Sequence, residues 1–213
     1  MKTDDLICML STNVEPVDHR QVARTIRTAL AFAGAGVVLA VLVTLGIRGD
    51  ATDINALPGL LLKLAFTLAA LFVASNYLIK LCRPGGERQT SIGLLMLLFL
   101  AVMLLAAISL AFAPSSHWNR MVLGNQWLEC LISIPLIAVV PFAATVWAVR
   151  QTAPTDLSRA GAIAGLVAGC LSAAGYALHC ADDSAPFVAL WYGGTISLCT
   201  FAGWKLGPRF LRW

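Results

Sequence analysis

The sequence predicts an all-α fold, a polytopic membrane helix bundle with six transmembrane helices and a short N-terminal helical tail. Three observations predict it. First, 59% of the 213 residues are apolar and only 12% are charged, whereas a soluble domain carries about 25% charged residues. Such a chain cannot clothe a water-facing surface, and lipid is the alternative solvent. Second, six apolar runs are each long enough to cross a hydrocarbon core of roughly 30 Å. Third, Lys and Arg concentrate in alternate connections between those runs, as the positive-inside rule requires.

The elements follow in order. Residues 1–27 form a soluble tail, and residues 28–213 form the transmembrane domain. In the tail, Thr3 or Asp4 can start a short helix on which Leu6, Ile7 and Leu10 make an apolar stripe. Residues 13–16 read as a break. Asp18 can then cap a second helix that runs through Arg20, Arg24 and Arg27 into the membrane. Acid dominates the first part of the tail, with Asp4, Asp5, Glu15 and Asp18 against Lys2. The basic second part suits anionic lipid headgroups. The acidic, apolar tip is instead the kind of surface that docks into a groove on a basic partner, or else a frayed terminus or a helix lying on the bilayer.

The six spans are expected near 28–47, 60–79, 91–113, 127–149, 160–180 and 185–204. The first ends in Leu45-Gly46-Ile47-Arg48, not a small-x-small cleavage site, so it reads as a retained anchor. Pro135 and Pro141 fall inside the fourth, where proline kinks a helix. The fifth carries Gly161, Gly165 and Gly169, continued by Ala173 and Ala177. This small-residue ridge serves either packing within one chain or a homodimer seam. Asp183 or Ser184 can cap the sixth, with Pro186 in its first turn.

Sidedness follows from charge. Lys2, Arg20, Arg24, Arg27, Lys80, Arg83, Arg88, Arg150, Arg159, Lys205, Arg209 and Arg212 fall on one side, and only Arg48 and Arg120 on the other. Both termini are therefore expected in the cytoplasm. Trp118 and Trp127 mark the outer interface, and Trp147, Trp204 and Trp213 the inner one. The basic residues make no single patch, so direct nucleic-acid binding is not expected.

Topology sorts the six cysteines. Cys8 and Cys82 are cytoplasmic, while Cys170 and Cys199 lie within helices as small apolar residues. Cys130 and Cys180 both sit at the outer interface, at similar depth. That side is oxidising, so they are candidates for a disulfide or a metal site. His179 and Asp182 lie beside Cys180, Glu129 beside Cys130, and His117 in the preceding outer loop. Thiolate with imidazole suits zinc, copper or cadmium. The competing readings are an interfacial histidine, a capping aspartate and two cysteines on faces that never meet.

No Ser/His/Asp grouping, phosphate-binding Gly loop or His-Glu-x-x-His stands out, and an enzyme is not expected. A small transporter would need ionisable groups near the bilayer centre. Only Lys63 and Glu129 lie within spans, near the outer edge, where they can pair with each other. A thiol oxidoreductase would need a Cys-x-x-Cys pair, which the sequence lacks.

The opening Met1-Lys2-Thr3-Asp4-Asp5-Leu6-Ile7, the six spans, the outer cysteines, and His179-Cys180 followed by Pro186-Phe187 and Trp191-Tyr192 together resemble the NrsF family of bacterial anti-sigma factors. The resemblance covers essentially the whole chain. It implies a negative regulator of sigma F, an extracytoplasmic-function sigma factor, which the tail would sequester at the membrane. It places Asp4, Asp5 and Leu6 in the sigma contact, which Ile7 and Leu10 would extend. It makes Cys130 and Cys180 the sensors of metal or oxidative stress. No resident cofactor is implied beyond a transient metal ion at these cysteines.

Overall fold

The computed structural model describes residues 19–49, 56–82, 92–152, 154 and 156–212, together with Thr3, Met9, Ser11 and Ile54. Among the described residues the ordered elements are all helical. They are α1 His19–Thr44, α2 Leu57–Leu81, α3 Gly93–Phe112, a 3-10 turn Ser115–His117, α4 Trp118–Leu123, α5 Trp127–Arg150, α6 Leu157–Tyr176 and α7 Ala185–Phe210. Six helices are long and apolar enough to cross a membrane.

The six spans are found where hydropathy puts them, and the differences at their ends have physical causes. As expected of the second tail helix, α1 begins at His19 and runs unbroken past Arg20, Arg24 and Arg27 into the first span. Arginine is a good helix former, and hydropathy marks where lipid stops rather than where backbone pairing stops. α6 closes at Tyr176, short of 180, because residues 177–180 tighten into a terminal turn, with Leu178 N on Gly175 O and His179 N on Tyr176 O. α7 continues past 204 through Lys205 to Phe210. The connection 114–126 folds into the 3-10 turn and α4, then reverses at Gly124, whose φ of 59° favours glycine. α7 also contains a π-helical turn, Val188–Tyr192, which no sequence pattern announced.

α6 is the axle of the bundle. Its apolar window is 67% buried, against 17% for α3. α5, α2, α1 and above all α7 pack around it. α3 lies on the rim and turns Leu97, Leu100, Leu104 and Ile108 outward while burying only Leu95, Val102 and Ala106. Such an apolar exterior is compatible with lipid.

The glycine ridge of α6 is occupied within the chain. Gly161, Gly165 and Gly169 face Cys199, Gly203 and Gly207 of α7, which repeat at the same spacing of four. A Cβ on Gly161 would fall on the Gly203 carbonyl oxygen, and one on Gly203 would fall on the Gly161 carbonyl oxygen. The backbones meet directly, and a side chain on either would force them apart. Farther along α6, Gly175 leaves a notch that receives Val37 of α1.

Other glycines carry no such duty. Gly36 in α1 has open space where a Cβ would stand. Gly36→Ala is expected to raise stability by about 0.5–1 kcal/mol through helix propensity alone. A thermal melt of the detergent-solubilised protein checks this, and a fall in melting temperature would show that Gly36 has a packing role.

Candidate functional site

The loop between α6 and α7 is short and polar, and nearly every group in it has a partner on another element. The Cys180 carbonyl accepts from Lys63 Nζ of α2 at 2.8 Å and from Arg48 Nη1, just past α1, at 3.3 Å. Asp182 Oδ2 accepts from the backbone N–H groups of Asn125 and Gln126 at 2.8 Å each, satisfying donors at the start of α5. Gln126 Oε1 answers by accepting from Ala181 N at 3.2 Å. Asp183 lies 2.7 Å from Lys63 Nζ and forks onto Arg48 at 2.6 and 3.0 Å. Of the two predicted caps for α7, Ser184 takes the role: its hydroxyl accepts from Phe187 N and donates to the Met121 carbonyl of α4.

Lys63 and Arg48 are both buried, so these pairs are shielded from water and strongly coupled. The expected partnership of Lys63 with Glu129 is not made. Lys63 is committed to Asp183, and Glu129 is exposed on the first turn of α5. Sequence reasoning missed this because the partners lie 120 positions apart in the chain and no local pattern links them.

His179 is part of the same fastening. Its Nδ1 is 3.2 Å from the Gly46 carbonyl, and Arg48 N donates to the Leu178 carbonyl at 3.1 Å. The end of α1 is thus held along residues 46–48 by the segment that carries Cys180. The ring of His179 also lies beside Tyr176, with centroids 5.8 Å apart.

Cys130, in the first turn of α5, and Cys180 are both fully buried free thiols. They lie close enough to interact electrostatically with each other, with Lys63 and with Asp182. Burial pushes the Cys180 thiol up from its ordinary value, and the Lys63 ammonium pulls it the other way. The thiol is therefore protonated at neutral pH and a poor nucleophile. Among the described residues no group of three or more His, Cys, Asp and Glu side chains is gathered as for a metal ion. His179 and Asp182 face Gly46 and the start of α5 instead. Two tyrosines belong to the same buried cluster as the thiols. Tyr176 and Tyr192 are fully buried with ring centroids 6.5 Å apart, and Lys63 Nζ is 5.8 Å from the Tyr192 ring centroid. The π-helical turn presents Tyr192 inward, while Trp191 donates its Nε1–H to the Val122 carbonyl at 2.8 Å.

Cys170 and Cys199 are buried within α6 and α7, as expected of small apolar residues, and Cys82 is buried just past α2. His117 is exposed. The tail residues Asp4, Asp5, Leu6, Ile7 and Leu10, with Cys8 and Asp18, lie outside the described residues, as does most of the 80–90 connection.

A family model described as negative regulator of sigma F, NrsF, matches residues 10–213. The chain belongs to the NrsF family. It is 32% identical to a probable anti-sigma-F factor NrsF of Azospira oryzae and 31% identical to the anti-sigma-F factor NrsF of Caulobacter vibrioides, each over the whole of both chains. No solved structure matches it. The likeness spans the full length of both relatives, and the family supports an anti-sigma factor role.

Proposed function

We propose that the chain is a membrane-bound anti-sigma factor of the bacterial inner membrane with both termini in the cytoplasm. Residues 1–27 hold an extracytoplasmic-function sigma factor through Asp4, Asp5, Leu6, Ile7 and Leu10. Metal binding or oxidation at Cys130 and Cys180, on the outer side, releases it. The relatives' names supply the partner class, and the charge distribution supplies the sidedness.

The observation that carries the signalling half is the fastening of α1. The Cys180 segment grips the Gly46 and Arg48 end of that helix through a backbone bond, the His179 ring and the Asp183–Arg48 fork. The other end of α1 leads straight into the tail. A stimulus that moves Cys180 relative to Cys130 therefore acts on the helix that bears the partner-binding segment. A ligand shifts such a balance only by its difference in affinity for the two arrangements.

Tagged full-length protein in detergent is expected to retain a sigma factor from the same organism, with a peptide of residues 1–27 competing. If neither full-length protein nor peptide retains one, the reading fails. In cells, exchanging Cys130 and Cys180 for Ser should abolish induction by metal or oxidant. Induction at the unaltered level would remove both thiols from the mechanism.

A further inference from the structure

Resting on the reading of the chain as a membrane protein, and independent of the sensing pair, we propose that the cleft between α5 and α7 binds one anionic phospholipid, its acyl chain in the cleft and its phosphate on Arg150. α5 and α7 both pack on α6 and far less on each other. Between them run two adjoining grooves of about 270 and 410 Å³, which share Val139, Phe142 and Leu206 as walls. Small residues line the first, with Gly165 and Ala168 of α6 facing Ala138 of α5 and Ala202 and Gly203 of α7. This region stands apart from the main core. Ala138, Ala168 and Cys199 form a small cluster of their own, with Phe142 against it. Atoms that line a gap forgo dispersion contacts, and in a bilayer the filler at hand is hydrocarbon.

Length and charge single out a lipid of one leaflet. At one end the lining reaches Pro135 on α5 and Leu198 on α7, each near the middle of its helix. At the other it reaches Arg150 and Phe210, where the two helices end. At 1.5 Å of rise per residue, Pro135 to Arg150 measures about 22 Å. Half a bilayer with its headgroups is roughly 20–22 Å, whereas a helix of a second copy would run the whole span. Among the described residues that line the two grooves, Arg150 alone is charged. Its exposed guanidinium donates to the Arg212 carbonyl at 3.4 Å. That bond holds it at the mouth and leaves the rest of its fork for a phosphate, an anion that arginine grips with two parallel bonds. Lys205, Arg209 and Arg212 are exposed at the same end and add to the pull on negative charge. Trp147 also lines the mouth and is exposed, as suits an indole at headgroup depth. Basic pockets between membrane helices take anionic headgroups in this way.

The test titrates delipidated full-length protein, in a neutral detergent, with phosphatidylglycerol or phosphatidylcholine and reads retained lipid by native mass spectrometry. One phosphatidylglycerol should be held in preference to phosphatidylcholine. Arg150→Gln should weaken phosphatidylglycerol about tenfold and bring it level with phosphatidylcholine. Lys205→Gln, which removes a charge from the same end but outside the grooves, should change it far less. Ala202→Phe, whose ring enters the first groove from an exposed position, should exclude lipid of either kind. Phosphatidylglycerol held as tightly by Arg150→Gln and Ala202→Phe as by the unaltered protein would overturn the proposal. So would equal retention of the two lipids by the unaltered protein. Competition by inorganic phosphate would overturn it in favour of a bare anion site. A lipid-free dimer that Ala202→Phe dissociates would overturn it in favour of a second copy of this chain. Failure of the membrane reading is seen separately, as protein that stays in solution once detergent is withdrawn.

Discussion

Asp183→Asn is expected to lower stability by about 3 kcal/mol, the low end for breaking a buried ion pair by removing one partner. It is also expected to release the sigma factor without a stimulus. One carboxylate serves both Arg48 and Lys63, at 2.6–3.0 Å. Lys63 has no exposed side-chain surface, while Asp183 keeps 20% of its own. The low end of the range is therefore the appropriate one. The amide cannot balance the buried ammonium, and the junction joining α1, α2 and the α6–α7 loop slackens. Lys63→Met in the same background should recover part of the loss, since an apolar side chain of similar length removes the stranded charge. Thermal melts of the solubilised variants and a sigma-dependent reporter without inducer read the two effects. Melting and basal reporter output that match the unaltered protein would show that the Asp183 junction supports neither stability nor restraint.

Gly203→Leu should cost more still, leaving little folded protein in the membrane. Even the first added atom would meet the Gly161 carbonyl oxygen, with Gly165 Cα at 3.0 Å and its N at 3.1 Å. Backbone atoms of two packed helices cannot step aside as a flexible side chain can. Overpacking a core typically costs 1–3 kcal/mol even where side chains yield, so about 3 kcal/mol is a floor for leucine here. Gly194→Leu, at a position with open space around it on the same helix, is the matched control. Membrane accumulation and gel-filtration profile distinguish them. Equal accumulation would mean that α6 and α7 are not locked through their glycines.

The parts of this fold that one-dimensional information reaches are those set by solvent. Hydropathy located the six spans because lipid demands about 20 apolar residues wherever a helix crosses. The ridge at Gly161, Gly165 and Gly169 was visible as spacing, and its counterpart at Cys199, Gly203 and Gly207 was equally visible but went unread. Counting depth puts Cys130 and Cys180 at one level. It does not reach the Lys63–Asp183 pair, because two side chains at one depth on α2 and the α6–α7 loop can meet or miss according to helix rotation. The inward turn of Tyr192 depends on the π-helical segment, a register change of one residue that composition does not record. His179, grouped with the thiols by adjacency, faces Gly46 instead, because neighbours along a turn point in different directions.

The notch at Gly175 seats α1 by Val37, and Ile26 and Val41 of the same helix are wholly buried as well. The helix is thus bedded along its length, from Ile26 to the grip on Arg48. A displacement at that grip would be passed along it as along a stiff rod, because no loose stretch lies between to absorb it.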